Sequence, residues 1–282
     1  MPEHDRPFQD VNGTNPVPVP SHAAQNNNAR DLTLLEEVVR EAGHIALSFY
    51  GGDYKKWSKE GGSPVTEADL AVNKYLCEQL TAARPDYGWL SEETTDDPVR
   101  LQRRTVFIID PIDGTVAFLK NRPHFTICAG IVVDGRPVCG VVYNPISDEL
   151  YSASAGAGAR RNGTKIHVGD RQNLRDCAML GDRSQLSAAP FPPMHVQNRN
   201  SVAYRLVLVA DGSADASVSL TPKRDWDLAA ADIILQEAGG RLTDASGAVM
   251  TYNRPVTKQA SLIAANPQLS NEIITLLNGR AV

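Results

Sequence analysis

The sequence predicts an α/β protein built in layers, with a pseudo-two-domain organisation. Three observations carry this reading. Stretches with helical apolar spacing alternate with short strand-like runs. The first half contains an antiparallel meander preceded by two helices. The second half changes to mixed short strands and longer helices. No internal repeat is visible.

The elements follow in order. Residues 1–29 are rich in Pro, Asn and Gln and poor in large apolar groups, so they read as a disordered tail. Order is expected from "DLTLLEEVVREAGHIALSFY", where Leu32, Leu35, Val38, Val39, Ala42, Ile45, Ala46 and Phe49 repeat at helical spacing until Gly51-Gly52. "KKWSKEGGSP" is a mobile loop or short hairpin. "TEADLAVNKYLCEQL" is a second helix, with Thr66 as N-cap and Asp69 in the capping-box position. "YGWLSEE" and "RTVFIID" are short strands with acidic ends, and a helix starts near Thr115. "HFTICAGIVVDGRPVCGVVYNPISDELYSAS" is an antiparallel meander with a first turn at Asp134-Gly135, and "GAGARRNGTKI" follows as an edge region. Further on, "CAMLGD" and "ADASVSL" read as strands, and "SVAYRLVLVADG" and "DWDLAAADIILQEAGG" as helices. "RLTDASG" and "ASLIAAN" supply short strands before a closing helix, "NPQLSNEIITLLNG". The division drawn is a tail at 1–29, an α+β subdomain at 30–170 carrying the central acidic motifs, and an α/β subdomain at 171–282.

Composition narrows the function. A chain of 282 residues can bury a substantial core, and 42% hydrophobic with 22% charged residues is that of an ordinary soluble protein. The net charge of −5 provides no basic field for nucleic acid or anionic lipid. No window is apolar enough to span a membrane, and the start "MPEHDRPFQD" lacks a signal-peptide layout. Cys77, Cys128, Cys139 and Cys177 form no CxxC pair and read as reduced thiols of a cytoplasmic protein.

The chemistry gathers in "FIIDPIDGTVAF". Asp110 ends an apolar run, and Pro111, which has no N–H, interrupts the strand. Asp113 falls just before Gly114-Thr115. Two carboxylates and the Ile112 carbonyl are thereby aimed from one corner, a donor set suited to a hard cation such as Mg²⁺. The N–H groups of Gly114 and Thr115 are placed to hold a phosphate oxygen. The same residues also read as an Asx-turn with a capping aspartate. Glu92 and Glu93 after "WL", Asp225 and Asp227 around Trp226, and Asp69 after "SPVT" add carboxylates at other element ends. Each alone also reads as a helix cap or a solvated group. As a set, they suit neighbouring cations whose charge offsets their repulsion.

The joint pattern "SPVTEAD", "WLSEE", "DPIDGT", "GVVYNP", "AYRLVLVADGSAD" and "WDLAAADIILQEAGG" resembles the inositol monophosphatase superfamily of metal-dependent, lithium-sensitive phosphatases. The resemblance implies an αβαβα layered sandwich of the inositol monophosphatase and fructose-1,6-bisphosphatase type, often a homodimer. It implies Glu92, Asp110 and the Ile112 carbonyl at a first metal, and Asp110, Asp113 and Asp227 at a second. A third, weaker Mg²⁺ would use Glu92 and waters, with Lys59 as a flexible-loop lysine nearby. Glu93 reads as a residue of local electrostatics or a hydrogen bond. Asp69 and Thr115 would activate the attacking water. The implied cofactor is two or three Mg²⁺ ions, with inhibition by Li⁺.

For substrate, the closest likeness is to bacterial 3'(2'),5'-bisphosphate nucleotidases, which remove the 3'-phosphate of adenosine 3',5'-bisphosphate, a by-product of sulfate assimilation. Animal inositol monophosphatases carry a glutamate before the WD motif, whereas this chain has Ser219 and Leu220 there, and Asn200 replaces a glycine that often precedes the "AY" helix. Lys223-Arg224 is placed to meet a second substrate phosphate, or else is a solvated turn. Against that likeness, Val116-Ala117 stands where many such nucleotidases have Lys-Glu. An inositol 1-phosphate or other polyol phosphate phosphatase is the alternative. A non-catalytic metal-binding regulatory protein is the alternative of another class, although the ligand set is complete. The expected partners are a small phosphorylated substrate and a second copy of the chain, with no nucleic acid and no integral membrane association. The loop from Gly51 to Ser63 is expected to close over substrate.

Overall fold

A computed structural model describes residues 22–59 and 64–279. Helix α1 (His22–Phe49) leads to a hairpin of β1 (Lys56–Ser58) and β2 (Pro64–Thr66), then α2 (Glu67–Ala83) and β3 (Gly88–Ser91). A 3-10 turn at Pro98–Gln102 precedes β4 (Thr105–Asp113) and α3 (Thr115–Leu119). The meander is β5 (Thr126–Val133), β6 (Arg136–Asn144) and β7 (Glu149–Ser154), followed by β8 (Ala159–Arg161) and β9 (Thr164–Lys165). The second half runs through β10 (Ala178–Gly181), α4 (Arg183–Leu186), β11 (His195–Gln197), α5 (Val202–Ala210), β12 (Ala216–Ser219), β13 (Lys223–Arg224) and α6 (Asp225–Glu237). It closes with β14 (Arg241–Thr243), β15 (Lys258–Gln259), β16 (Leu262–Ala265) and α7 (Pro267–Leu277).

Strands β3 to β9 form one sheet in sequence order, parallel only between β3 and β4. A second, mixed sheet has the order β11-β10-β12-β16-β14. Strand alternation divides the core into layers. Phe107, Ile109, Ile127, Ala129 and Val141 pack with Leu35, Val39, Val72 and Leu76 of α1 and α2. Val106, Ile108, Cys128 and Val142 face the other way, onto Leu206 and Val209 of α5 and Ala230 and Ile234 of α6. That helix pair also covers Leu180, Leu262 and Ala264 of the second sheet. The far face of that sheet, with Met179, Val218 and Ile263, packs on Leu269 and Ile273 of α7. The result is the expected αβαβα sandwich.

Two expectations are corrected. A tail is expected over 1–29, but α1 begins at His22, inside that segment, and the Cys139 thiol donates to the Asn28 carbonyl. Ala23 and Ala24 favour helix, and the amphipathic segment behind them lets it propagate backwards. The rest of the expected tail lies outside the described residues. Strand β4 also continues beyond Pro111. The pairing with β5 breaks after Asp110 and resumes at Asp113 opposite Thr126, so the missing proline N–H is absorbed in a bulge. The hairpin reading of "KKWSKEGGSP" holds for β1 and β2, while residues 60–63 of the loop expected to close over substrate lie outside the described residues. The four cysteines are free thiols.

Candidate active site

The bulge in β4 turns Asp110 and Asp113 toward the layer of α5 and α6, where Asp227 stands in the first turn of α6. Oxygen atoms of these three carboxylates lie within 4.8 Å of one another. Asp110 and Asp113 are buried, and Asp227 is half-buried.

Asp110, Asp227 and Asp69 are held by local backbone, and Asp113 by the start of a distant helix. The Ile112 N–H donates to Asp110 Oδ1 at 3.1 Å, an Asx-turn. Asp113 Oδ2 accepts from Ser201 Oγ at 2.7 Å and from the Ala203 N–H at 2.6 Å, at the start of α5. Asp227 Oδ2 accepts from the Arg224 N–H at 2.8 Å. Asp69 occupies its capping box, with Oδ2 accepting from the Thr66 N–H at 2.8 Å. The other Asp69 oxygen accepts from Thr115 Oγ1 at 3.3 Å, and the same hydroxyl lies 3.2 Å from the Ile112 carbonyl. Gly114 sits between these groups at φ +98°. An added Cβ would lie 3.0 Å from the His124 carbonyl oxygen and 3.1 Å from the Ser201 nitrogen, so only glycine makes this turn.

Burial first, then repulsion from Glu92, Asp113 and Asp227, holds the Asp110 carboxyl well above the usual carboxylate range. Burial pushes Asp113 up to about 6, against the hydrogen bonds from Ser201 and Ala203. Asp227 is pushed up to about 8 by burial and then by Asp113. These groups resist carrying their charges together. The all-oxygen donor set and this repulsion fit a hard divalent cation of the Mg²⁺ type, whose charge would relieve it.

Glu92 is outside that triad. Its Oε1 accepts from Lys59 Nζ at 2.9 Å, and the same ammonium reaches Glu93 Oε1 at 2.5 Å. Glu93 is pushed up to about 7, by burial opposed by Lys59. The structure thus joins Lys59, Glu92 and Glu93 at the hairpin side of the site. Lys223 and Arg224 part ways. Lys223 is half-buried, bonds Thr221 Oγ1 at 3.0 Å, and has its pKa lowered by burial and by Arg205. Arg224 is exposed and lays its guanidinium over the Trp226 ring at 5.6 Å. The flat Trp226 face attracts that cation.

Sequence reasoning missed Arg205, Ser201 and Thr126. Arg205 is only 6% exposed, and its Nε has no hydrogen-bond partner among the described residues. Its charge acts on Asp113, Asp227 and Lys223. The available signal was one arginine inside the apolar helix "SVAYRLVLVA". Ser201 and Thr126 gave no such signal.

No helix among the described residues is long and apolar enough to cross a membrane. The sequence profile of the inositol monophosphatase family matches residues 27–280. The chain is 33% identical over 234 residues to the 3'(2'),5'-bisphosphate nucleotidase CysQ of Aggregatibacter actinomycetemcomitans, covering 77% of this chain and 86% of that one. It is 34% identical over 199 residues to the inositol-1-monophosphatase of Rhizobium meliloti, covering 65% and 73%. The crystal structure of the extragenic suppressor protein suhB of Bartonella henselae superposes with a TM-score of 0.76 at 27% identity, covering 88% of this chain and 98% of that one.

Proposed function

The chain belongs to the inositol monophosphatase family, and from that premise we propose that it removes the 3'-phosphate of adenosine 3',5'-bisphosphate. At the coarser level it is a Mg²⁺-dependent phosphatase of small phosphomonoesters, as the family and the acidic triad require. The observation that carries the bisphosphate reading is Arg205. A buried guanidinium whose Nε has no hydrogen-bond partner among the described residues is costly. A second substrate phosphate would satisfy it through charge-assisted hydrogen bonds, with Lys223 beside it. A polyol monophosphate offers no such charge.

Asp110, Asp113 and Asp227, with the Ile112 carbonyl and Glu92, are the residues assigned to hold metal. Bound Mg²⁺ supplies polarisation of the phosphate and acidification of water. The remaining work falls to side chains. The Thr115 hydroxyl has one proton, and donating it to Asp69 Oδ1 leaves its lone pairs to accept from the attacking water. Asp69, its pKa raised by burial, is suited to take up the proton. The Gly114 and Thr115 N–H groups cradle the scissile phosphate, and Lys59 neutralises charge at the Glu92 side. The same reading includes a homodimer and inhibition by Li⁺.

Phosphate release is the test, measured with Mg²⁺ on adenosine 3',5'-bisphosphate, inositol 1-phosphate, fructose 1,6-bisphosphate, histidinol phosphate and AMP. The expected outcome is a kcat/KM for the adenosine bisphosphate at least about tenfold above the others, or about 1.4 kcal/mol of discrimination. Arg205→Met is expected to raise KM for that substrate about tenfold or more while leaving inositol 1-phosphate turnover within about threefold. A preference for inositol 1-phosphate, unchanged by Arg205→Met, overturns the substrate assignment.

A further inference from the structure

Asp113 stands at the end of a buried chain of hydroxyl and thiol groups. Ser201 Oγ lies 2.7 Å from Asp113 Oδ2, and it accepts from the Tyr204 N–H at 2.9 Å as the cap of α5. Thr126 Oγ1 lies 3.0 Å from Ser201 Oγ, and Cys128 Sγ lies 3.3 Å from Thr126 Oγ1. Thr126, Cys128 and Ser201 are all fully buried at 0% exposure, so no solvent competes for these bonds.

Proton counting fixes the direction of the chain. A serine hydroxyl has one proton, and Ser201 gives it to the carboxylate. Thr126 must therefore donate to Ser201, and Cys128 to Thr126. Asp113 Oδ2 then receives two donors, the Ser201 hydroxyl and the Ala203 N–H. Oδ2 has no further lone pair in the carboxylate plane, and Oδ1 alone is available.

We infer that the Cys128–Thr126–Ser201 relay locks Asp113 as a one-oxygen metal ligand and thereby selects Mg²⁺ over Ca²⁺. Mg²⁺ requires near-octahedral geometry with short, single-oxygen contacts, whereas Ca²⁺ accepts a carboxylate through both oxygens. A carboxylate free to rotate serves Ca²⁺ as well as Mg²⁺; a pinned one does not. Ser201 and Thr126 are positioning residues here, since they act through Asp113. The inference rests on the metal site and not on the identity of the substrate.

The test is calorimetric titration of the full chain with Mg²⁺ alone and with Ca²⁺ alone, for the wild type, Ser201→Ala, Thr126→Val and Ser201→Thr. Ser201→Ala is expected to weaken Mg²⁺ binding about tenfold and Ca²⁺ binding less than about threefold. Thr126→Val keeps the cap and the side-chain shape. It is expected to shift the same ratio in the same direction by about threefold, and it carries the test if loss of the cap prevents Ser201→Ala from folding. Ser201→Thr should restore the wild-type ratio. Unchanged Mg²⁺ affinity in folded Ser201→Ala or, failing that variant, in Thr126→Val overturns the inference. An equal fall for both ions also overturns it, because a merely displaced carboxylate penalises both. A wild type that binds neither ion overturns the metal site itself.

Discussion

Asp69, Asp113 and Asp227 each commit one carboxylate oxygen to a helix N-terminus; the other oxygen accepts from Thr115 in Asp69 and stays available in Asp113 and Asp227. The helix ends favour the ionised forms, while burial and mutual repulsion oppose them. Asp227→Asn removes one of the repelling charges. It is expected to lower kcat/KM by about 100-fold or more, to abolish the thermal stabilisation by Mg²⁺, and to raise the Tm of the metal-free protein by about 2–4 °C. Activity assays and thermal scans with and without chelator check it, and near-wild-type turnover would sink the assignment of Asp227. Proton linkage gives a second expectation. Between the ordinary carboxylate value of about 4 and the folded values of about 6 and about 8, the folded metal-free chain binds more protons than the unfolded one. Its stability therefore falls as pH rises through that window. The metal-free Tm should drop by about 3–10 °C from pH 5 to pH 9, and saturating Mg²⁺ should flatten the drop. A metal-free Tm that rises with pH would contradict these raised values. The ligand carboxylates were legible residue by residue, because each sits at an element end that the local pattern marks. Arg205 was not, because its missing partner is a property of the folded surroundings.

At the scale of elements, the position of α6 decides where Asp227 falls. That helix lies directly on the first sheet because Gly130 and Gly140 have no side chains. A Cβ on Gly130 would meet the Ala230 nitrogen at 3.1 Å, and one on Gly140 would run into the Ala230 carbonyl oxygen. Gly140→Ala is expected to cost about 1–3 kcal/mol, seen as a Tm lowered by about 2–10 °C. It should also reduce kcat/KM, since lifting α6 draws Asp227 away from Asp110 and Asp113. Unchanged activity in a destabilised Gly140→Ala would show that the triad tolerates the shift. Gly114→Ala acts more directly. Its positive φ and its contacts with His124 and Ser201 predict about 1–2 kcal/mol of destabilisation and loss of most activity. The longer helices and strands were legible from periodicity and caps, whereas the short α4, β11, β13 and β15 were not. The bulge at Pro111 was not, because resumption of pairing opposite Thr126 depends on a neighbouring strand.

Over the whole molecule, five layers bring the β4 corner of one sheet to the N-termini of helices shared with the other. A metal bound in this seam ties the halves together, so metal and folding are linked. At 100 times its Kd, Mg²⁺ should stabilise by about 2.7 kcal/mol, or about 5–10 °C in Tm, and chelation should reverse this. Absence of any shift would argue against a site between elements from both halves. Sedimentation should return twice the chain mass of 30.5 kDa if the proposed homodimer forms, and the single-chain mass if it does not.

By itself the sequence determined the layered α/β class, the principal helices and strands and the acidic positions, because strand alternation, helix caps and a strand ending in Asp are recorded within a few neighbouring residues. The tertiary structure alone decided what those positions meet. Lys59 joins Glu92 and Glu93 across more than thirty residues, Ser201 reaches Asp113 across 88, and Arg224 turns to Trp226 while Arg205 stays buried with its Nε unpartnered among the described residues. Such pairings depend on how strands register and how closely helices settle on a sheet. Both are set by packing across the whole fold and leave no local pattern to read.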